Sequence, residues 1–457
     1  MTTRSSSGTG AAPSDFRTPA LLVLLGGLVC QMGLGYSYVF GALNPDIMAE
    51  TGWTKSMLSA ARAPQLWVMA LASPLAGFLV VRVGARAVLV ASTALLGAAF
   101  LLLSRIDALW QLYACFMLIA IAGTGLSDVT VGQAVAQWFV RHRGLALGIV
   151  YTGSNLGGAL LVRYGGAIAE AGSWRTTVAV MGIGAFVLML PLAAFAVRPR
   201  ARGEVERGEV ERGEVERGEV ERGEVERGEV ERGEVEREAE SVADEAAAMG
   251  SEDDLDLRSA LRTRSFWILS AALFVFFFYF VAILDHLVFH LIESGYEKSE
   301  AQAFLSNALI LGMISKVGFG WVADRLPTRT ATLLQFGLFA ASSFLLLLPV
   351  SAAALWLFVA TFGISGAARD VVYPMMIARS FGLRAMAKIY GTMMLVLPAG
   401  AAGAYYAASV SESAGSYRMA FLTFAVLNVV TFTSLFLLRD ERAPPAQVPA
   451  APTPSAS

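Results

Sequence analysis

The chain has 457 residues, 56% of them hydrophobic and only 16% charged, with a net charge of −2 and a mean hydropathy of +0.58. Soluble globular proteins are about a quarter charged, so this composition excludes an ordinary soluble enzyme and points to a polytopic membrane protein. The 35 basic and 37 acidic residues nearly cancel, and no basic domain marks a nucleic-acid partner.

Arg4 and Arg17 precede an apolar run from about Thr18 to Leu43. That run exceeds the apolar region of a signal peptide and reads as a retained first helix. Further stretches long enough to cross the apolar core of a bilayer fall at 57–81, 85–104, 109–139, 143–168 and 174–197. After a polar interval, six more follow at 265–292, 301–324, 329–350, 353–381, 386–410 and 417–438. An all-α membrane protein of twelve transmembrane helices is therefore expected. Its parts are a tail (1–17), a six-helix bundle (18–197), a linker (198–264), a second six-helix bundle (265–438) and a tail (439–457). Cys30 and Cys115 sit inside apolar runs and read as small hydrophobes.

The linker holds seven tandem copies of Gly-Glu-Val-Glu-Arg between Gly203 and Arg237, each with a net charge of −1. A five-residue period lays no continuous apolar stripe on a helix, and a glycine in every copy weakens one. A solvated, low-complexity acidic linker is expected, with room for a cytoplasmic partner. On one side of the membrane the short loops and flanks carry thirteen basic residues, Arg82, Arg86, Arg325 and Arg329 among them. The other side carries five: Lys55, Arg105, Arg175, Lys298 and Arg418. This bias places both termini and the linker in the cytoplasm of a plasma (inner) membrane protein.

The two halves repeat at an offset of 243 residues. Glu50-Thr-Gly-Trp-Thr-Lys-Ser56 matches Glu293-Ser-Gly-Tyr-Glu-Lys-Ser299, Gly77 to Arg86 matches Gly320 to Arg329, and Ala171 to Arg175 matches Ala414 to Arg418. Asp128 pairs with Asp370 at an offset of 242. Six helices is an even number, so both bundles enter from the same side, as parallel repeats.

Gly77-Phe-Leu-Val-Val-Arg-Val-Gly-Ala-Arg86 and Gly320-Trp-Val-Ala-Asp-Arg-Leu-Pro-Thr-Arg329 resemble the signature loop between helices 2 and 3 of the major facilitator superfamily and its second-half copy. The resemblance covers all twelve helices and implies a transporter. Val81 departs from it, standing where the family usually places an aspartate. Gating residues are expected in these loops: Gly77, Arg82, Arg86, Gly320, Asp324, Arg325 and Arg329. There glycine permits close helix approach, and Asp with Arg forms a charge-assisted latch. Trp138 to Ile149, with Gly153-Ser-Asn-Leu-Gly157, is similar to the helix 4–5 region of monocarboxylate and oxalate/formate transporters. Gly35 to Phe40, Asn44-Pro45 and Gly52-Trp53 also resemble that branch. It implies a small organic anion as solute, moved by proton symport or by exchange.

Ionisable groups within membrane helices are costly and by default mark sites. Here they are Arg62, Asp128, Arg163, Asp285, His286, His290, Lys316, Arg369 and Asp370. Lys316 falls where the resembled branch has a substrate-binding arginine. It keeps the charge but lacks the bidentate fork. Substrate contacts are expected from Lys316, Arg369, Tyr36, Tyr38, Tyr151, Asn155 and Tyr373. Proton coupling is expected from Asp285, His286, Asp128 or Asp370. For each, a structural role as counter-charge, packing aromatic or interfacial side chain stays open. The spacing of His286 and His290 suits a metal, but no third ligand is evident, so neither a metal nor a cofactor is expected. A carrier for a sugar, amino acid or drug, and a non-transporting membrane sensor, remain open alternatives.

Overall fold

A computed structural model describes residues 18–139, 143–197, 255–382, 385–439 and 441. The acidic repeat array and most of both tails lie outside the described residues. No strand occurs among the described residues. Eleven of the helices are long and apolar enough to cross a membrane. In the first half they are α1 (Pro19–Thr51), α2 (Lys55–Val83), α3 (Ala85–Leu103), α4 (Leu109–Val135), α5 (Leu145–Ala171) and α6 (Trp174–Ala196). In the second half come α7 (Arg264–Glu293) and α8 (Lys298–Val322, its helix continuing to Arg325), then α9 (Thr328–Leu345). They are followed by α10 (Ala352–Phe381), α11 (Lys388–Ala414) and α12 (Arg418–Leu437).

Helix α9 is the one not among the eleven. It ends at Leu345, short of the expected boundary at 350, and several of its positions are polar. Two of those side chains bond to neighbouring helices: the buried Gln335 donates from its amide nitrogen to the Ser365 carbonyl of α10 at 3.0 Å, and Ser342 hydrogen-bonds Tyr279 of α7 at 3.1 Å. Such a helix can lower its own hydropathy because its neighbours, rather than lipid, meet its polar face.

Several helices are broken near their middles. A 3₁₀ turn at Gly33–Gly35 interrupts α1, and another at Met394–Val396 interrupts α11 ahead of Pro398. Helix α4 stops at Gly125 and restarts at Asp128, with Ser127 extended between them. That break seats the Asp128 carboxylate in the first turn of the new segment, the favourable end of its dipole.

The chain divides into two compact units. One takes the described residues up to Val39 and those from Ala72 through α6. The other takes Phe40–Leu71 together with the described residues of the second half. The end of α1 and the start of α2 thus group with helices of the second half, meeting α7, α8 and α11.

Within the second unit, α7, α9 and α10 meet through stacked aromatic rings: Phe276 lies 4.7 Å from Phe339 and 5.2 Å from Phe280, and Phe280 lies 5.4 Å from Phe362. Helices α8 and α10 touch backbone to side: a Cβ on Gly363 would run into the Ala308 carbonyl. Ser315 also donates to the Ile364 carbonyl at 2.6 Å. Replacing Gly363 with valine is expected to force α10 off α8. The melting temperature of the purified protein should fall, by the equivalent of about 1–3 kcal/mol typical of overpacking. An unchanged melting curve would show that the two helices tolerate the separation.

Candidate functional site

Gly363 has a consequence beyond packing. Lys316 lies eight residues beyond Ala308 on α8, and Arg369 and Asp370 lie six and seven beyond Gly363 on α10. At 1.5 Å per residue these side chains emerge at similar heights on neighbouring helices. The Asp370 carboxylate bridges the two cations. Its Oδ2 is 3.1 Å from Lys316 Nζ, and its Oδ1 is 2.5 Å from Arg369 Nη2. Arg369 further donates to the Tyr390 hydroxyl of α11 at 3.4 Å, and its guanidinium lies 5.1 and 5.3 Å from the rings of Phe276 and Phe277. Aromatic faces on one side and a carboxylate on the other fix the guanidinium plane. The Asp370 side chain is 34% exposed, against 10% for Lys316 and 13% for Arg369, so the carboxylate lies on the open side of the cluster. Ionisable groups in membrane helices usually face the interior of a helix bundle or a water-filled cavity and pair with one another, as these three do.

Tyr373, one turn on from Arg369, is fully buried, and its hydroxyl donates to the Leu269 carbonyl at 2.8 Å. Its ring stands 6.1 Å from that of Tyr390. In the first unit, Gln31 of α1 donates to Asp128 Oδ1 at 2.7 Å, and the Tyr151 hydroxyl donates to the Asp128 backbone carbonyl at 3.0 Å. Asn155 is buried one turn beyond Tyr151. The Tyr38 ring packs against Gly158 of α5, which has no room for a side chain. Tyr36 is buried and lines an apolar cavity of about 480 Å³ bounded by α1, α3, α5 and α6, with Phe100, Tyr164 and Met189 among its walls. None of the charged candidates lines that cavity.

A second polar set joins the 40–71 segment to α7, α8, α11 and α12. Arg62 grips Asp285 through both carboxylate oxygens, Nε to Oδ2 at 3.0 Å and Nη2 to Oδ1 at 2.5 Å, with the side chains 4% and 1% exposed. Arg62 also reaches Gln65 at 3.2 Å. Nearer the helix ends, Lys55 pairs with Glu293 and donates to Ser411 at 2.9 Å. Ser56 donates its hydroxyl to Glu412 at 2.5 Å, and Lys298 pairs with Asp46 at 2.7 Å. The buried His286 stands among these groups. Its Nε2 is 3.0 Å from both the Ala404 carbonyl and Ser59 Oγ, and its Nδ1 is 3.0 Å from the Tyr417 hydroxyl. A carbonyl only accepts, so the Ala404 contact calls for a proton on Nε2, while the Tyr417 hydroxyl can either donate to or accept from Nδ1. Asp285 is thus engaged by Arg62 rather than by its neighbour His286. His290, one turn on, packs edge-on against Phe421 at 4.8 Å.

At the signature loops, a Cβ on Gly77 or Gly320 would meet nothing within 4 Å among the described residues. Arg82 and Arg86 are exposed, with Arg82 lying 5.9 Å from the Phe78 ring. Arg325 stacks on Trp321 at 3.8 Å, and Arg329 donates to the Phe436 carbonyl at 2.7 Å. The Asp324 side chain lies outside the described residues. Sequence reading had no signal for Gln31, Ser59, Tyr390 or Tyr417. All four are neutral, and they matter only through the charged or titratable group each one touches.

The chain matches the Major Facilitator Superfamily over residues 25–402, and it belongs to that family. It is therefore a multi-pass membrane protein. It is similar to the MFS-type transporter pynF of Aspergillus niger, with 28% identity over 42% of this chain and 45% of that protein. The riboflavin transporter RibJ of Trypanosoma brucei brucei is 29% identical over 41% of this chain and 36% of its own length. These matches span less than half of either relative. The uncharacterized MFS-type transporter YhjX of Escherichia coli is 22% identical over 84% of this chain and 86% of its own.

Proposed function

We propose that the chain is a secondary active transporter that moves a small organic anion by alternating access, through proton symport or anion exchange. The observation that carries this reading is the cluster of two membrane-embedded cations, Lys316 and Arg369, held against one partly exposed carboxylate. A pre-positioned ammonium and guanidinium recognise a carboxylate through charge-assisted hydrogen bonds. Family membership supports carriage of a solute in general, and the resemblance of α1 and the α4–α5 region to monocarboxylate carriers supports its class. In this reading Lys316 and Arg369 attract the anion. Asp128, Asp285, His286 and Asp370 are the candidates for coupling a proton, and the arginine-rich loops serve as gates. Both termini and the acidic linker face the cytoplasm, in accord with the basic bias of the loops.

The test is uptake by the full chain in liposomes. Labelled lactate, pyruvate, formate and oxalate are each supplied with an inward proton gradient, and separately with unlabelled anion inside. Gradient-driven uptake establishes symport, and uptake that needs internal anion establishes exchange. Failure with all four, together with uptake of riboflavin, a sugar or an amino acid, would replace the anion reading by a carrier of another solute.

A further inference from the structure

The Asp370 carboxylate already occupies the place a solute anion must approach. It touches both cations and is the most exposed member of the cluster. A solute carboxylate that reaches Lys316 either takes over the Asp370 Oδ2 contact or shares the three ammonium donors with it, while Oδ1 keeps its bond to Arg369. One incoming carboxylate is accommodated either way. A second carboxylate on the same small solute is not, because it would lie beside the ionised Asp370 in a setting of reduced dielectric, where like charges repel strongly.

We propose that Asp370 is a specificity-determining residue that restricts the site to anions with a single carboxylate. The inference rests on the organic-anion reading above and deepens it. Charge, rather than size, is then what separates accepted from rejected solutes of similar length. Neutralising Asp370 removes the repulsion and leaves Lys316 and Arg369 in place without their shared counter-charge, so it should admit dicarboxylates. The charged groups facing Asp370 are Lys316 from α8 and Arg369 from its own helix, and neither changes in this substitution.

The experiment compares lactate with malonate, two three-carbon acids of one and two charges, at a pH where both are ionised. Binding to the purified full chain is measured alongside exchange in liposomes. Wild-type protein is expected to bind lactate in preference. Asp370→Asn should shift the ratio of the two dissociation constants toward malonate by at least about tenfold, the order expected for one unit charge at short range. Asp370→Glu, which keeps the charge, should retain the lactate preference. Asp370→Ser makes the same charge change with a smaller side chain and replaces the asparagine variant if that one fails to fold. An unchanged ratio in a folded neutral variant that still binds lactate overturns the role of Asp370 and leaves the organic-anion reading intact. Wild-type protein that takes up oxalate, or binds malonate as well as lactate, overturns this inference and leaves the organic-anion reading intact, whereas failure to bind any of lactate, pyruvate, formate, oxalate and malonate overturns both.

Discussion

Lys316→Gln is expected to abolish anion uptake while leaving membrane insertion intact. Glutamine keeps most of the side-chain length and can hydrogen-bond, so the loss isolates the charge. Truncating one member of a desolvated, hydrogen-bonded charge pair costs about 2–5 kcal/mol. At about 1.4 kcal/mol for each factor of ten, affinity should fall by roughly thirty-fold or more. Lys316→Arg should retain uptake, because the guanidinium fork suits a carboxylate at least as well. Initial rates in liposomes, normalised to the amount of protein inserted, provide the measurement. Normal uptake by the glutamine variant would remove Lys316 from the substrate site and shift attention to Arg369.

The largest effect on stability is expected at Arg62 and Asp285. Both side chains are shielded from solvent, and each satisfies the other through two hydrogen bonds. Arg62→Met leaves a buried carboxylate without its counter-charge, and breaking such a pair from one side costs about 3–5 kcal/mol. Asp285→Leu should be similarly damaging, for the opposite charge. The double replacement Arg62→Met with Asp285→Leu removes both charges together and should recover most of the loss. Replacing a whole buried pair by apolar side chains of similar volume is often neutral. Thermal unfolding of the three variants forms a double-mutant cycle. Additive losses in the cycle would mean that the two groups do not stabilise each other.

Much of the architecture was legible in the sequence, for physical reasons. Hydrocarbon demands long apolar helices, so membrane spans announce themselves through composition. Helix α9 was legible as well, expected at 329–350 and found at Thr328–Leu345, although it carries polar groups toward other helices. The halves do not coincide with the compact units, because residues 40–71 pack with the second half through contacts that depend on tertiary placement. The candidate site was legible as a set of charges and not as a geometry. Lys316, Arg369 and Asp370 stood out because membrane helices rarely carry charge. That Asp370 faces Lys316 depends on how closely α8 and α10 approach, which Gly363 allows and no residue count reveals. Arg62 and Asp285 were each visible alone, 223 residues apart, while Asp46, Lys55, Glu293 and Lys298 looked like ordinary loop charges.

Two of those loop charges bear on how such a chain came to be. Lys55 and Lys298 occupy equivalent positions in the repeat, 243 residues apart. Lys55, at the start of α2, reaches Glu293 at the end of α7. Lys298, at the start of α8, reaches Asp46 near the end of α1. Each lysine thus crosses to the opposite half and meets the same kind of partner there. Two identical six-helix chains paired about a two-fold axis would make this contact twice by symmetry, since an isologous interface uses each residue reciprocally. The fused chain keeps both copies of the bond, but with different acids at non-equivalent positions. That is the arrangement expected when an ancestral dimer becomes one polypeptide and its two interface halves are then free to drift apart.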